Sequence, residues 1–138
     1  MTDSSNSVPD SKFIRQLEIA IADLLWLSES ESPFWVIYWC NCANGDRLTI
    51  LQHQYPAKTK IEVQEFSDFF ASATKEQPWH NQEEQEEVKR YQALVNLLTK
   101  NLTDLRVYLI GSVEIDVYIL GMTDDRAIAG LSTKIVAT

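Results

Sequence analysis

Glu114 and Asp116, in "VEIDVYIL", are the nearest approach in this chain to a catalytic carboxylate pair. Two residues apart on a strand, they share one face, and paired carboxylates carry out glycoside hydrolysis. Asp116 sits in an apolar run and is the best single candidate for a catalytic acid. The simpler reading is an Asp bonded to backbone or to a nearby Lys, because buried carboxylates are usually paired. Nothing else supports catalysis. His53 and His80 fall in loop or strand-edge contexts without the spacing of a ligand pair, and only four glycines are available for a phosphate loop. GxGxxG, P-loop, HExxH and G-x-S-x-G patterns are all missing. Cys40 and Cys42, near the end of an expected strand, have no second Cys/His cluster to complete a metal site. Their spacing is poor for a disulfide, so they read as free thiols of a reducing compartment. The expectation is a protein that is not an enzyme, with no cofactor and no metal held by the chain alone.

The 138 residues suit one domain with a real core. Twelve Lys and Arg against twenty Asp and Glu give a net charge of −8, which argues against a nucleic-acid binder working through a basic face. Attraction to basic partners is favoured instead. No apolar run approaches bilayer length, and "MTDSSNSVPDSK" lacks the basic start and apolar core of a secretory signal. A cytoplasmic protein is expected.

The elements follow from periodicity. Residues 1–10 are polar and small and are expected to form a disordered tail, with residues 11–138 as a single domain. From Asp10 or Ser11, Phe13, Leu17, Ile21 and Leu24 mark one helical face, widened by Ile14 and Leu25. Pro33 stops a helix, and Ser32 before it should be extended. "FWVIYWC" predicts a strand apolar on both faces, as in a sheet covered on both sides. Asn44-Gly45 predicts a hairpin turn leading into a short strand, "RLTILQ". "TKIEVQEF" predicts a strand running into a short helix, "FSDFFASAT", and "KEQPWHN" a loop. Asn81 caps a long helix, with Glu84 completing a capping box. Its acidic first turns suit the helix dipole. Val88, Tyr91, Leu94, Val95, Leu98 and Leu102 form its buried stripe. "LRVYLIG", "VEIDVYILGMT" and "AIAGLSTKIVAT" predict an antiparallel meander. The fold class expected is α/β (α+β), a three-layer α/β/α sandwich with a mostly antiparallel central sheet.

One junction is odd on these terms. "SESESP" places Glu29 and Glu31 after an apolar helical run, where a helix C-terminus prefers Lys or Arg. Trp79 is a second conspicuous residue, following Pro78 in a polar loop; tryptophan is enriched among interface hot spots. Trp26, Trp35 and Trp39 fall in helix or strand patterns and read as core or inter-layer packing.

The chain resembles the nuclease A inhibitor family, whose members block sugar-nonspecific DNA/RNA endonucleases. The resemblance is carried by "LLWLSESESPFWVIYW", by "SDFFASAT" followed by "PWHNQEE", and by "VYLIGSVEIDVYILGMT" with "AIAGLSTKIVAT". The "SESExPF" junction and the closing "AGxSTKxVxT" are its most specific parts. It implies an α/β/α sandwich without enzymatic activity that binds the nuclease at its active site. Transferred residue by residue, it implies that Thr138 reaches the nuclease's catalytic divalent metal, that Glu29 engages the active-site region, and that Trp79 adds an aromatic contact. Mg²⁺ wants hard oxygen ligands, and a terminal threonine offers a carboxylate and a hydroxyl without a scissile bond. The partner implied is a nuclease protein, with no direct nucleic acid, no membrane and a monomeric free state.

Three departures stand beside it. Ala137 replaces an expected acid, His80 follows Trp79 where another aromatic is familiar, and residues 40–59 match poorly. The alternative is a non-catalytic interaction module of the same fold with a different partner. An interface takes about 800 Å² from each side, so Glu29, Trp79 and Thr138 are expected within one outward-facing patch at one end of the fold.

Overall fold

A computed structural model describes residues 11–27, 31–39, 47–124 and 126–136. In chain order the elements are α1 (Ser11–Ile21), β1 (Leu25–Leu27), β2 (Glu31–Pro33), β3 (Trp35–Trp39), α2 (Arg47–Gln54), β4 (Ile61–Glu65), α3 (Phe66–Phe70), α4 (Gln82–Asn101), β5 (Thr103–Ile110), β6 (Glu114–Met122) and β7 (Ile128–Val136). The fold is mixed helix and strand with antiparallel sheets. Five strands pair in the order β3-β7-β6-β5-β4, every neighbour antiparallel, while β1 and β2 form a separate two-stranded ladder.

Side-chain alternation in the strands sorts the core into two clusters. Val107, Val117, Ile119, Ala129 and Leu131 meet Phe13 and Leu17 of α1, the Phe66, Phe69 and Phe70 cluster of α3, and Tyr91, Leu94 and Leu98 of α4. Tyr108, Ile110, Leu120 and Ile128, offset by one residue along their strands, meet the fully buried Leu51 of α2. The meander, the short helix and the capped long helix are as expected. Both halves of the capping box form: Glu84 N–H donates to Asn81 Oδ1 at 2.8 Å, and Asn81 N–H to Glu84 Oε1 at 2.9 Å.

Three expectations are corrected. The first helix ends at Ile21, and Leu25 to Leu27 are strand. Asp23 takes φ 61°, a left-handed conformation that Asp tolerates better than most residues and that ends a helix. The expected strand "RLTILQ" is instead the helix α2. Arg47 at its start is buried and donates from Nη1 to the Leu120 carbonyl at 2.7 Å and from Nη2 to Asp104 Oδ2 at 2.6 Å. Those bonds, with Leu51 driven into the sheet, override the strand-like local composition. Trp35, expected to pack in the core or between layers, is 47% exposed on β3, an edge strand of the sheet.

Candidate functional site

Trp79 is the most exposed large apolar side chain among the described residues, at 75%. The backbone that carries it is held on both sides. His80 N–H donates to the Gln77 carbonyl at 3.1 Å, and Gln77 N–H donates to His80 Nδ1 at 3.1 Å. Gln85 Nε2 also reaches the His80 carbonyl at 3.3 Å, and the capping box begins at the next residue. The Pro78-Trp79 pair is thus clipped at the helix start while its indole stands in solvent, edge-on to the His80 ring. An exposed aromatic on an ordered backbone loses little freedom when it is covered, the condition under which such residues contribute most to binding.

Glu29 and Thr138 lie outside the described residues, as do Cys40, Cys42, the Asn44-Gly45 pair and Ala137. The elements that flank Glu29 and Thr138 in sequence are described, and they adjoin. Leu27 pairs with Glu31, whose side chain is exposed. The β1–β2 ladder lies against β7, and the buried Thr133 of β7 donates its hydroxyl to the Pro33 carbonyl at 2.8 Å. The "STK" of the closing motif therefore contributes a direct bond to the "SESExPF" junction. Gly130 of the same motif is needed for strand pairing: at φ 156° it faces the Ile119 carbonyl oxygen so closely that a Cβ would overlap it.

The shorter α1 changes the question posed by "SESESP". The last helical residue is eight positions before Glu29, so the acids do not crowd a helix C-terminus. That terminus already has a cation: Arg90 of α4 donates to the Ala20 carbonyl at 3.0 Å and to the Ala22 carbonyl at 2.6 Å. A second link fixes the ladder itself, where the Tyr91 hydroxyl donates to the Leu25 carbonyl at 2.6 Å. Burial, with the Glu87 carboxylate nearby, pushes the Tyr91 phenol well above its ordinary range.

Asp116, the candidate catalytic acid, has a structural partner. Asp116 Oδ2 accepts from the Tyr55 hydroxyl at 2.7 Å, and Tyr55 and Tyr118 share a hydroxyl contact at 2.9 Å. Burial and those two partners push the Tyr55 phenol upward. The partner is a tyrosine of the loop after α2, not backbone or Lys as expected. Glu114 is exposed and His53 lies on α2. Among the described residues no three His, Cys, Asp or Glu side chains gather as a metal site. No helix there is long and apolar enough to cross a membrane.

A family model for nuclease A inhibitor-like proteins (NuiA) matches residues 11–138. The chain belongs to that family. No curated protein matches it. For a nuclease A inhibitor-like chain, the spread of the match is itself informative: it spans the junction, the Trp79 loop and the closing strand alike. The two Arg47 and Tyr55 networks were not legible beforehand, since their partners stand 57 to 73 residues away. A charged residue inside "DRLTIL" was the one available signal for Arg47.

Proposed function

We propose that this chain is a stoichiometric protein inhibitor of a metal-dependent, sugar-nonspecific DNA/RNA nuclease, itself without catalytic activity or cofactor. The observation that carries the reading is the family match across residues 11–138. Thr138 supplies oxygen to the nuclease's divalent ion, Glu29 meets cationic groups that the nuclease uses for its polyanionic substrate, and Trp79 packs on the rim. The metal is the nuclease's alone; the chain by itself binds none. The chain acts as one domain, monomeric when free and cytoplasmic.

The geometry around these residues favours a shared patch. β2 lies against β7, bonded there through Thr133 and Pro33, which supports reading the approaches to Glu29 and Thr138 as neighbours. A single residue, Leu102, separates α4 from β5, so α4 ends where Thr103 pairs with Met122. Its start, with Trp79 just before it, points back toward the opposite sheet end, where Glu114 pairs with Val136. We read the layers as α/β/α, with α1 and α4 on one face and α2 on the other, a frame rigid enough to present all three groups together.

The net charge of −8 complements a basic nucleic-acid channel and raises the encounter rate, so association slows as salt rises. Because the metal serves both substrates, DNA and RNA cleavage are blocked alike. Titrating the purified chain into a Mg²⁺-dependent sugar-nonspecific nuclease tests this. The expected result is loss of both activities near one equivalent; full turnover with the chain at micromolar excess rejects it.

A further inference from the structure

A small cleft opens between β1 and α4, lined by Leu25, Trp26, Ser72, Ala73, Glu87 and Tyr91, with a volume of about 180 Å³. That is below the ~300 Å³ at which small-molecule and cofactor sites begin, and it suits a single side chain. Its walls are aromatic. Trp26 is stacked on Phe69 at 4.5 Å and meets Tyr91 edge-on at 5.6 Å, so the indole cannot swing away to close the space.

Its charge is one-sided. The Tyr91 hydroxyl proton is committed to the Leu25 carbonyl. The Glu87 carboxylate offers acceptors only, and its field is felt at Tyr91. Every Lys and Arg of the chain lies within the described residues, yet the ion pairs there use Arg47, Lys60 and Arg106, none of them with Glu87. Arg90, three positions along the same helix, is turned to the Ala20 and Ala22 carbonyls. Aromatic walls with one unneutralised carboxylate attract a cation.

We infer that this cleft seats an arginine side chain of the protein partner, its guanidinium against the Trp26 and Tyr91 rings that line the cleft and paired with Glu87. A guanidinium fits better than an ammonium because it is planar, stacks on rings, sheds water readily and offers a fork to a carboxylate. The cleft lies where the partner is expected: Leu25 and Trp26 lead toward Glu29, and Glu87 stands between the Trp79 loop and Tyr91 on α4. The assignment of the arginine to a nuclease rests on the function proposed above; the guanidinium seat does not.

The experiment has two arms that separate those claims. In the first, the ¹⁵N-labelled chain is titrated with N-acetyl-arginine amide and, in parallel, with butylammonium. Saturable shifts of the Trp26 indole N–H and the Ala73 amide are expected with the guanidinium, weaker ones with the ammonium, and none in E87Q. In the second, inhibition of a Mg²⁺-dependent sugar-nonspecific nuclease is measured for wild type, E87Q and E86Q at low and high salt. E87Q should weaken inhibition about tenfold at low salt, with the gap narrowing as salt rises, while E86Q, outside the cleft, stays within about twofold. Melting curves check that each variant is folded. No saturable shift in wild type overturns the guanidinium seat, and inhibition by E87Q equal to wild type overturns its use against the nuclease; either result leaves the proposed function standing. Probe binding by a chain that inhibits no such nuclease supports the cleft and overturns the nuclease reading.

Discussion

Tyr91 donates its hydroxyl to the carbonyl of Leu25 at 2.6 Å, across 66 residues of sequence. This bond joins the middle of the long helix to the strand that leads into "SESESP". With the Arg90 bonds one residue earlier, it makes α4 the brace for both the end of α1 and the start of the β1–β2 ladder. The capping box at the other end of α4 braces the Trp79 loop. One helix thus braces both the Trp79 loop and the strand that leads toward Glu29.

Replacing Tyr91 by Phe removes that bond and keeps the ring in the core. A carbonyl left without its donor costs about 1–2 kcal/mol. Urea denaturation of Y91F should show a lower midpoint with an unchanged slope. A midpoint equal to wild type would mean that the bond contributes nothing to holding β1.

Alkaline pH should destabilise the fold. Tyr55 and Tyr91 are both held protonated in the folded state, above the ordinary phenol value of 10.0, chiefly by burial. Between the unfolded and folded pKa values the native state binds more protons than the unfolded one, so stability is fully present below pH 10 and falls as pH rises. Thermal melts from pH 8 to pH 11 should show the decline beginning near pH 10, less steep in Y91F and Y55F than in wild type.

Thr133→Val tests the link between the closing motif and the junction. The substitution keeps volume but loses the 2.8 Å bond to the Pro33 carbonyl, at a cost of about 1 kcal/mol. Hydrogen exchange should quicken at Glu31 and Ser32 more than in β5 or β6. Uniform change across the sheet would deny Thr133 a local role.

Gly130→Ala should be far more damaging. The added Cβ overlaps the Ile119 carbonyl oxygen in the middle of the β6–β7 ladder, on a backbone at φ 156°. Overpacking of a central strand with backbone strain amounts to about 3 kcal/mol or more. A melting temperature within a few degrees of wild type would contradict the strand register.

What the sequence disclosed depended on how local the cause was. α4 was legible because its cap, dipole and apolar stripe are all written between Asn81 and Leu102. The end of α1 was not: Leu24 and Leu25 continue the helical stripe, and only the turn at Asp23, with the Arg90 bonds from 68 and 70 residues away, ends the helix at Ile21. α2 was misread because Thr49 and Ile50 favour strand while the forces that make it a helix are tertiary, at Leu51 and Arg47. Trp35 was misplaced because strand composition does not reveal which strand is outermost. Within the site, Trp79 was visible as an aromatic after proline in a polar loop. The His80–Gln77 clip that orders its backbone is a contact of the folded chain with no sequence pattern of its own.

Inhibition by the chain with and without Thr138 bears most directly on the account. Both forms should melt alike if the residue serves the partner's metal and not this chain's own fold. The intact chain should silence a Mg²⁺-dependent sugar-nonspecific nuclease near one equivalent, and the form ending at Ala137 should lose at least about a hundredfold in potency if the residue donates oxygen to the metal. Equal inhibition by the two forms would contradict it.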